Sequence, residues 1–187
     1  LDDAAPEGCL HGFVVRAPVA HARIRSIDVE AARAAPGVRA IYVGQDWPDA
    51  GLKPIPIRAA LENVDGSPLT VPPRWPLAID RVRHAGEGVA FIVAESRRAA
   101  EDAADLVEAD YDELDVVTDS VAALGDGAPL LHEEAPGNRA FHWSKGERAP
   151  VEKALADAAH VAELRLVNNR IVINPMEPRG ALCLYDA

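Results

Sequence analysis

The chain is poor in aromatic residues, which make up 5% of its 187 positions, and it holds a single methionine and two cysteines. A core with so few rings has to be assembled from Ala, Val, Leu and Ile, and it gains cohesion from close packing. Cys9 and Cys183 stand near opposite ends and form no CxxC pair. That argues against a disulfide framework or a local zinc site, and favours two free thiols in a reducing compartment. Long apolar runs are missing as well, and none approaches the ~20 residues of a membrane span. The first residues, Leu1-Asp2-Asp3-Ala4-Ala5, carry no basic stretch leading into an apolar one, so no secretory signal is visible there. A cytoplasmic location is expected. Positive charge is the last scarcity: 19 Lys and Arg face 30 Asp and Glu, a formal net charge of -11. Such a balance disfavours nucleic acid and anionic membrane surfaces as partners.

What is present is an ordinary folding composition, 49% hydrophobic and 26% charged, enough for one sizeable core and the start of a second. Gly12-Phe13-Val14-Val15-Arg16 reads as a strand ended by Pro18. Residues 22–28 alternate, with Ile24 on one face and Arg23 and Arg25 on the other, as in a half-buried strand. Asp28 can cap a short Ala-rich helix that Pro36-Gly37 stops. Residues 38–43 form the next strand. From 46 to 76, seven prolines leave little room for regular elements, and a long irregular stretch of this kind is either functional, an interface or a plain ordered loop.

Residues 88–94 are almost continuously apolar, as a central strand would be. Ser96 is a good helix cap. The helix after it lines up Ala99, Ala100, Ala103, Leu106 and Val107, with Glu101, Asp102, Asp105 and Glu108 facing away. A strand is expected over 111–117 and a helical turn over 121–124. The Gly- and Pro-rich stretches 125–129 and 135–137 mark a boundary. Beyond it, strands are expected at 138–144, 161–173 and 181–185, and a helix beginning with Pro150 at its first position. The stretch Asn174-Pro175-Met176-Glu177-Pro178-Arg179-Gly180 cannot be an ordinary central strand, because its two prolines cannot donate to a ladder.

Chemistry-bearing patterns are weak. None of the six histidines, His11, His21, His84, His132, His142 and His160, pairs with another at metal-ligand spacing. His132-Glu133-Glu134 reads as a loop segment before it reads as an acid–base or metal cluster. Gly86-Glu87-Gly88 precedes a strand, whereas a dinucleotide fingerprint follows one, so it reads as a turn. Asp112, Glu113 and Asp115 are spread along a strand rather than paired. Glu177 and Arg179 read as an ion pair fixing an irregular strand, with a cofactor-facing role as the alternative. From residues alone, the expectation is a soluble α+β protein with no self-sufficient active site.

Three blocks nevertheless resemble one family. Val15-Arg16-Ala17-Pro18-Val19-Ala20-His21-Ala22-Arg23-Ile24 is similar to an opening VRSPxAHARI strand pair, with Ala17 for the usual Ser. Residues 82–90 with 100–104 and 107–111 resemble a VRYVGEPVA…AEDAAELVEVDYE block, with Gly88 for the usual Pro. The third block joins His132-Glu133-Glu134-Ala135-Pro136-Gly137-Asn138 to the 174–179 stretch. Together they resemble the N-terminal part of the molybdopterin-binding large subunit of the xanthine dehydrogenase and aldehyde oxidase superfamily, nearest to the aerobic carbon monoxide dehydrogenase large-chain branch.

The resemblance implies an α/β-hammerhead domain over 1–124, a mixed sheet packed by helices, and the start of a molybdopterin-binding domain over 125–187. It implies that the catalytic and cofactor contacts lie in later parts of the subunit. No catalytic, cofactor-binding or metal residue is therefore expected in this chain, and no cofactor on it alone. Molybdopterin would be held by the complete subunit, with iron–sulfur and flavin groups on partner subunits or domains. The expected partners are the rest of that subunit and the iron–sulfur and flavin subunits. Self-association through the C-terminal strands is a further expectation. A stand-alone binding or assembly module that uses the same fold without redox chemistry is the competing reading.

Overall fold

A computed structural model of the chain describes residues 6–59, 61–169, 171, 173–176 and 180–184. They fall into two compact units, Gly8–Trp143 on one hand and Leu1–Glu7 with Ser144–Ala187 on the other.

The larger unit runs β1 (His11–Arg16), β2 (Ala22–Asp28), α1 (Glu30–Arg33), β3 (Val38–Val43), α2 (Asp46–Asp49), β4 (Arg81–Val82), β5 (Gly88–Ala94), α3 (Arg97–Ala104) and β6 (Glu108–Glu113), with 3-10 turns at Ala122–Leu124 and Pro136–Asn138. The strands form two three-stranded sheets, ordered β1-β5-β3 and β4-β2-β6. The α+β class is as expected. In place of one mixed sheet, however, every pairing in the two sheets is antiparallel. The reason is topological: α3 carries the chain from β5 into a different sheet, so no parallel β–α–β crossover is made.

β5 is central in the first sheet, and its Ala90, Ile92 and Ala94 are fully buried. Phe13, Ile92 and Ile41 line up across the first sheet, and so do Val14, Phe91 and Tyr42 one step along. The first row joins the main core, where Ile92, Ala90 and Ala94 meet Val29 and Ala32 and, from α3, Ala100 and Ala103. These alanines are fully buried, so the helix lies close on the sheet. A second cluster of Ala17, Ala78, Val82 and Val89 sits between the sheets, and Val15 and Ile27 pack against both clusters. Burying a side chain such as Ile92 contributes roughly 1.5–3 kcal/mol. The exposed Arg25–Asp112 pair at 3.3 Å contributes ~0–1 kcal/mol, so packing decides the fold.

Local signals set the element ends. Ser96 Oγ accepts from Ala99 N at 3.1 Å and caps α3. Asp28 accepts from Glu30 N at 2.9 Å at the start of α1. At Gly44 the backbone passes so near residue 78 that no side chain fits.

Several expectations are corrected. β6 starts at Glu108, earlier than the strand expected over 111–117, because Ile27 and Asp28 of β2 offer partners to Ala109 and Glu108. Residues 138–144 form no regular strand, although Ala140 and His142 accept backbone bonds from Thr70 and Val64 at 2.9 Å each. In the smaller unit, α4 (Arg148–Asp157) begins two residues ahead of Pro150, and the pairs Arg148–Glu152 and Lys153–Asp157 brace it at 2.5 Å each. The described residues of 161–173 and 181–184 carry no strand, since a strand exists only where a ladder partner satisfies its backbone. The expected pair Glu177 and Arg179 lies outside the described residues.

Candidate functional site

Three places in the larger unit bring polar or apolar groups together. The first is the loop that carries His132-Glu133-Glu134, which folds onto β4 and the residue that follows it. Arg83 Nε donates to the carbonyl of Leu131 at 2.9 Å, and Arg81 Nη2 reaches Glu133 Oε1 at 3.3 Å. Glu87 accepts from the backbone N–H of Arg83 at 2.6 Å. Arg81 Nε is buried without a hydrogen-bond partner. Burial pushes the pKa of His132 down from its ordinary value, and the nearby Arg83 guanidinium adds to this, with Glu134 and Glu87 pulling the other way. The cluster is rich in charge; Arg83 and Glu87 hold backbone, Arg81 reaches Glu133, and Arg81 Nε is left over.

The second place is a polar cleft of about 460 Å³ between residues 63–70 and the 136–142 segment. Asn63 organises it: its Nδ2 donates to Ser67 Oγ at 3.0 Å and Pro68 O at 2.9 Å, while its Oδ1 accepts from His142 N at 2.7 Å. Hydrogen bonds from the Ser67 hydroxyl and N–H hold the Asp65 carboxyl below its usual range.

The third is an apolar recess of about 720 Å³ on the outer row of the first sheet, walled by Val14, Tyr42, Phe91, Trp47, Leu52 and Leu77. Its polar rim is already engaged. Asp46 accepts from Val43 N at 2.7 Å, and Trp47 Nε1 donates to Lys53 O at 3.1 Å.

Among the described residues, no three His, Cys, Asp or Glu side chains converge so as to hold a metal ion. Gly86 turns the chain with φ +85°, the turn that Gly86-Glu87-Gly88 announces. Asp110 and Asp112 face Arg25 at 3.9 and 3.3 Å, a cross-strand charge pairing rather than a catalytic pair. Among the described residues, His21, inside the opening strand-pair block, is the one buried residue that is polar or charged; its Nδ1 lies 2.7 Å from the carbonyl of Asp115. A carbonyl only accepts, so that nitrogen carries the proton. Its Nε2 is buried with no partner. Arg83 and Asn138 carry no site signal of their own in the sequence; Arg83 falls within the 82–90 block and Asn138 closes the 132–138 block.

Two antiparallel sheets packed by α1 and α3 make the larger unit an α+β module. Residues 1–115 match the family described as "Aldehyde oxidase and xanthine dehydrogenase, a/b hammerhead domain", and residues 131–187 match "Molybdopterin cofactor-binding domain". The chain belongs to the aldehyde oxidase and xanthine dehydrogenase family. It is 36% identical to the nicotine 6-hydroxylase large subunit of Paenarthrobacter nicotinovorans, over 100% of this chain and 22% of that protein. It is 32% identical to the carbon monoxide dehydrogenase large chain of Hydrogenophaga pseudoflava, over 100% of this chain and 23% of that protein. Among solved structures it is similar to reconstituted CO dehydrogenase from Oligotropha carboxidovorans, with TM-score 0.71 and 33% identity over 85% of this chain and 20% of that one. The chain thus spans under a quarter of the length of these two curated relatives.

Proposed function

We propose that this chain is the N-terminal structural part of a molybdenum hydroxylase large subunit, and that it has no activity by itself. The observation that carries the reading is the order of the two matches, hammerhead over 1–115 and then cofactor-binding over 131–187, along one chain that its relatives align with from end to end. We divide it functionally into a hammerhead domain, 1–124, and a linker with the beginning of the molybdopterin-binding domain, 125–187.

In the complete enzyme, molybdopterin would supply the redox centre at which an oxygen atom from water is added to a substrate carbon. The electron pair would leave through iron–sulfur and flavin groups on partner subunits or domains. The substrate would be an aldehyde, an N-heterocycle or carbon monoxide, and the names of the relatives support that range. In this reading the described residues do not themselves hold the cofactor. Most polar groups of the three sites bond to the chain's own backbone or to neighbouring side chains, Arg81 Nε being an exception, and no metal-ligating set converges among the described residues. No catalytic step is assigned to them. Their role in this reading is scaffold and interface. No described helix is long and apolar enough to cross a membrane, and both cysteines are free, which fits a reducing, cytoplasmic setting.

The test is elemental. Metal and pterin analysis of this chain purified alone is expected to find neither molybdenum nor pterin, and analysis of the assembled enzyme is expected to find both. Stoichiometric molybdenum on the isolated chain would overturn the claim that the site lies elsewhere. Absence of molybdenum from the assembled enzyme would overturn the hydroxylase reading.

A further inference from the structure

Asn138 closes the loop at which the cofactor-binding match begins. Its backbone is left-handed at φ 54°, a conformation that Asn tolerates better than most residues. Its Oδ1 accepts from Leu131 N at 3.0 Å, and its Nδ2 donates to Ala123 O and Pro129 O at 2.9 Å each. Arg83 works on the other side of the same residue. Its Nε donates to Leu131 O at 2.9 Å, and its Nη1 donates to Arg81 O at 3.2 Å. Leu131 is therefore held at its N–H by Asn138 and at its carbonyl by Arg83.

Apolar packing cannot do this job here. In 131–143 the only buried residue is Ala135. The segment nonetheless belongs to the compact unit Gly8–Trp143, although the match to the cofactor-binding domain starts at 131. Its place depends on directed bonds, to which Val64, Thr70 and Asn63 add three further ties at Ala140 and His142. A directed bond fixes distance and angle, whereas apolar contact tolerates sliding.

We propose that Arg83 and Asn138 are positioning residues, which together set where the molybdopterin-binding part of the subunit starts on the hammerhead. They touch neither substrate nor cofactor in this scheme, which rests on the functional reading above. Four variants separate backbone from side-chain effects. Asn138→Gly keeps the left-handed backbone and deletes all three side-chain bonds. Asn138→Asp keeps the acceptor for Leu131 N and loses both donations. Arg83→Gln removes the charge and the fork, and Arg83→Lys keeps only the charge.

Hydrogen exchange on the full chain reads the anchor directly. In Asn138→Gly, the Leu131 amide is expected to exchange about tenfold faster, while amides of β5 keep their protection, which shows that the unit still folds. In the assembled large subunit, Asn138→Gly and Arg83→Gln are expected to lose pterin content and to alter the Mo(V) paramagnetic signal, with Asn138→Asp and Arg83→Lys in between. Unchanged exchange at Leu131 overturns the anchor. Fast exchange with unaltered pterin content and signal overturns the positioning role and leaves only local structure. If the unmodified subunit binds no pterin, the hydroxylase reading falls and the positioning role falls with it; the Leu131 exchange still shows which of the two claims failed on its own.

Discussion

A Cβ at Gly44 would stand 2.1 Å from the carbonyl oxygen of Ala78. Backbone meets backbone at that point, so nothing nearby can swing aside. The crossing fixes the turn after β3 against the bent segment leading to β4.

This contact sets up a contrast between two glycines. Gly12 is also crowded, since a Cβ there would meet Cζ of Phe91 at 2.5 Å, but that atom is the far end of a side chain facing the open recess. Gly44→Ala is expected to destabilise by ~1–3 kcal/mol or more. Gly12→Ala is expected to be near neutral, because displacing the ring is offset by the ~0.5–1 kcal/mol that glycine costs in a strand. Urea unfolding of both variants checks the ranking, and equal losses would refute it.

Ser96→Ala removes the side-chain acceptor for Ala99 N and leaves that first-turn donor to solvent. The expected loss is ~0.5–2 kcal/mol. Because α3 brings Ala100 and Ala103 into the core, the loss should appear in global unfolding rather than as fraying alone. Ser96→Asp should restore most of it.

His132 should titrate below the ordinary 6.5 of a histidine. Its folded pKa is lowered, so the unfolded chain binds the proton more readily. The stabilising contribution is complete above about pH 6.5 and is lost as the pH falls from there through the folded value. NMR of the imidazole gives the midpoint. Arg83→Gln should move it upward, because a positive neighbour is removed; a downward move would contradict the assigned cause.

The described residues beyond α4 leave Leu164, Leu166 and Val167 at 77, 80 and 74% exposure. The chain alone is expected to self-associate through this stretch, as exposed apolar segments without ladder partners tend to do. Light scattering across a concentration series measures it. A monodisperse species with these amides protected as a monomer would count against it.

Much of this architecture is legible in the residues. Alternation, Pro36-Gly37 and the apolar run over 88–94 are local signals, and they mark the bounds of β2, β3 and β5 to the residue. Ser96 announced α3 for the same reason. The split into two sheets was not legible, because register such as His11 opposite Ala94 depends on partners far along the chain. The early start of β6 is hidden in the sequence because Glu108 and Asp110 are charged, while their pairing with β2 runs through the backbone. The Arg83–Leu131–Asn138 junction was invisible because side-chain-to-backbone bonds leave no periodic trace. The alternation over 161–167 marks a face that wants cover but does not say what supplies it.

The order β1-β5-β3 also has a consequence in time. During synthesis β1 is complete at residue 16, but the central strand between it and β3 ends only at residue 94. At ~5–20 residues per second, β1 waits roughly 4–16 seconds on the ribosome before its partner exists. β3 waits beside it, and neither can pair usefully with the other. This module therefore cannot fold progressively from its N-terminus. Its first sheet can close only after residue 94 has been made.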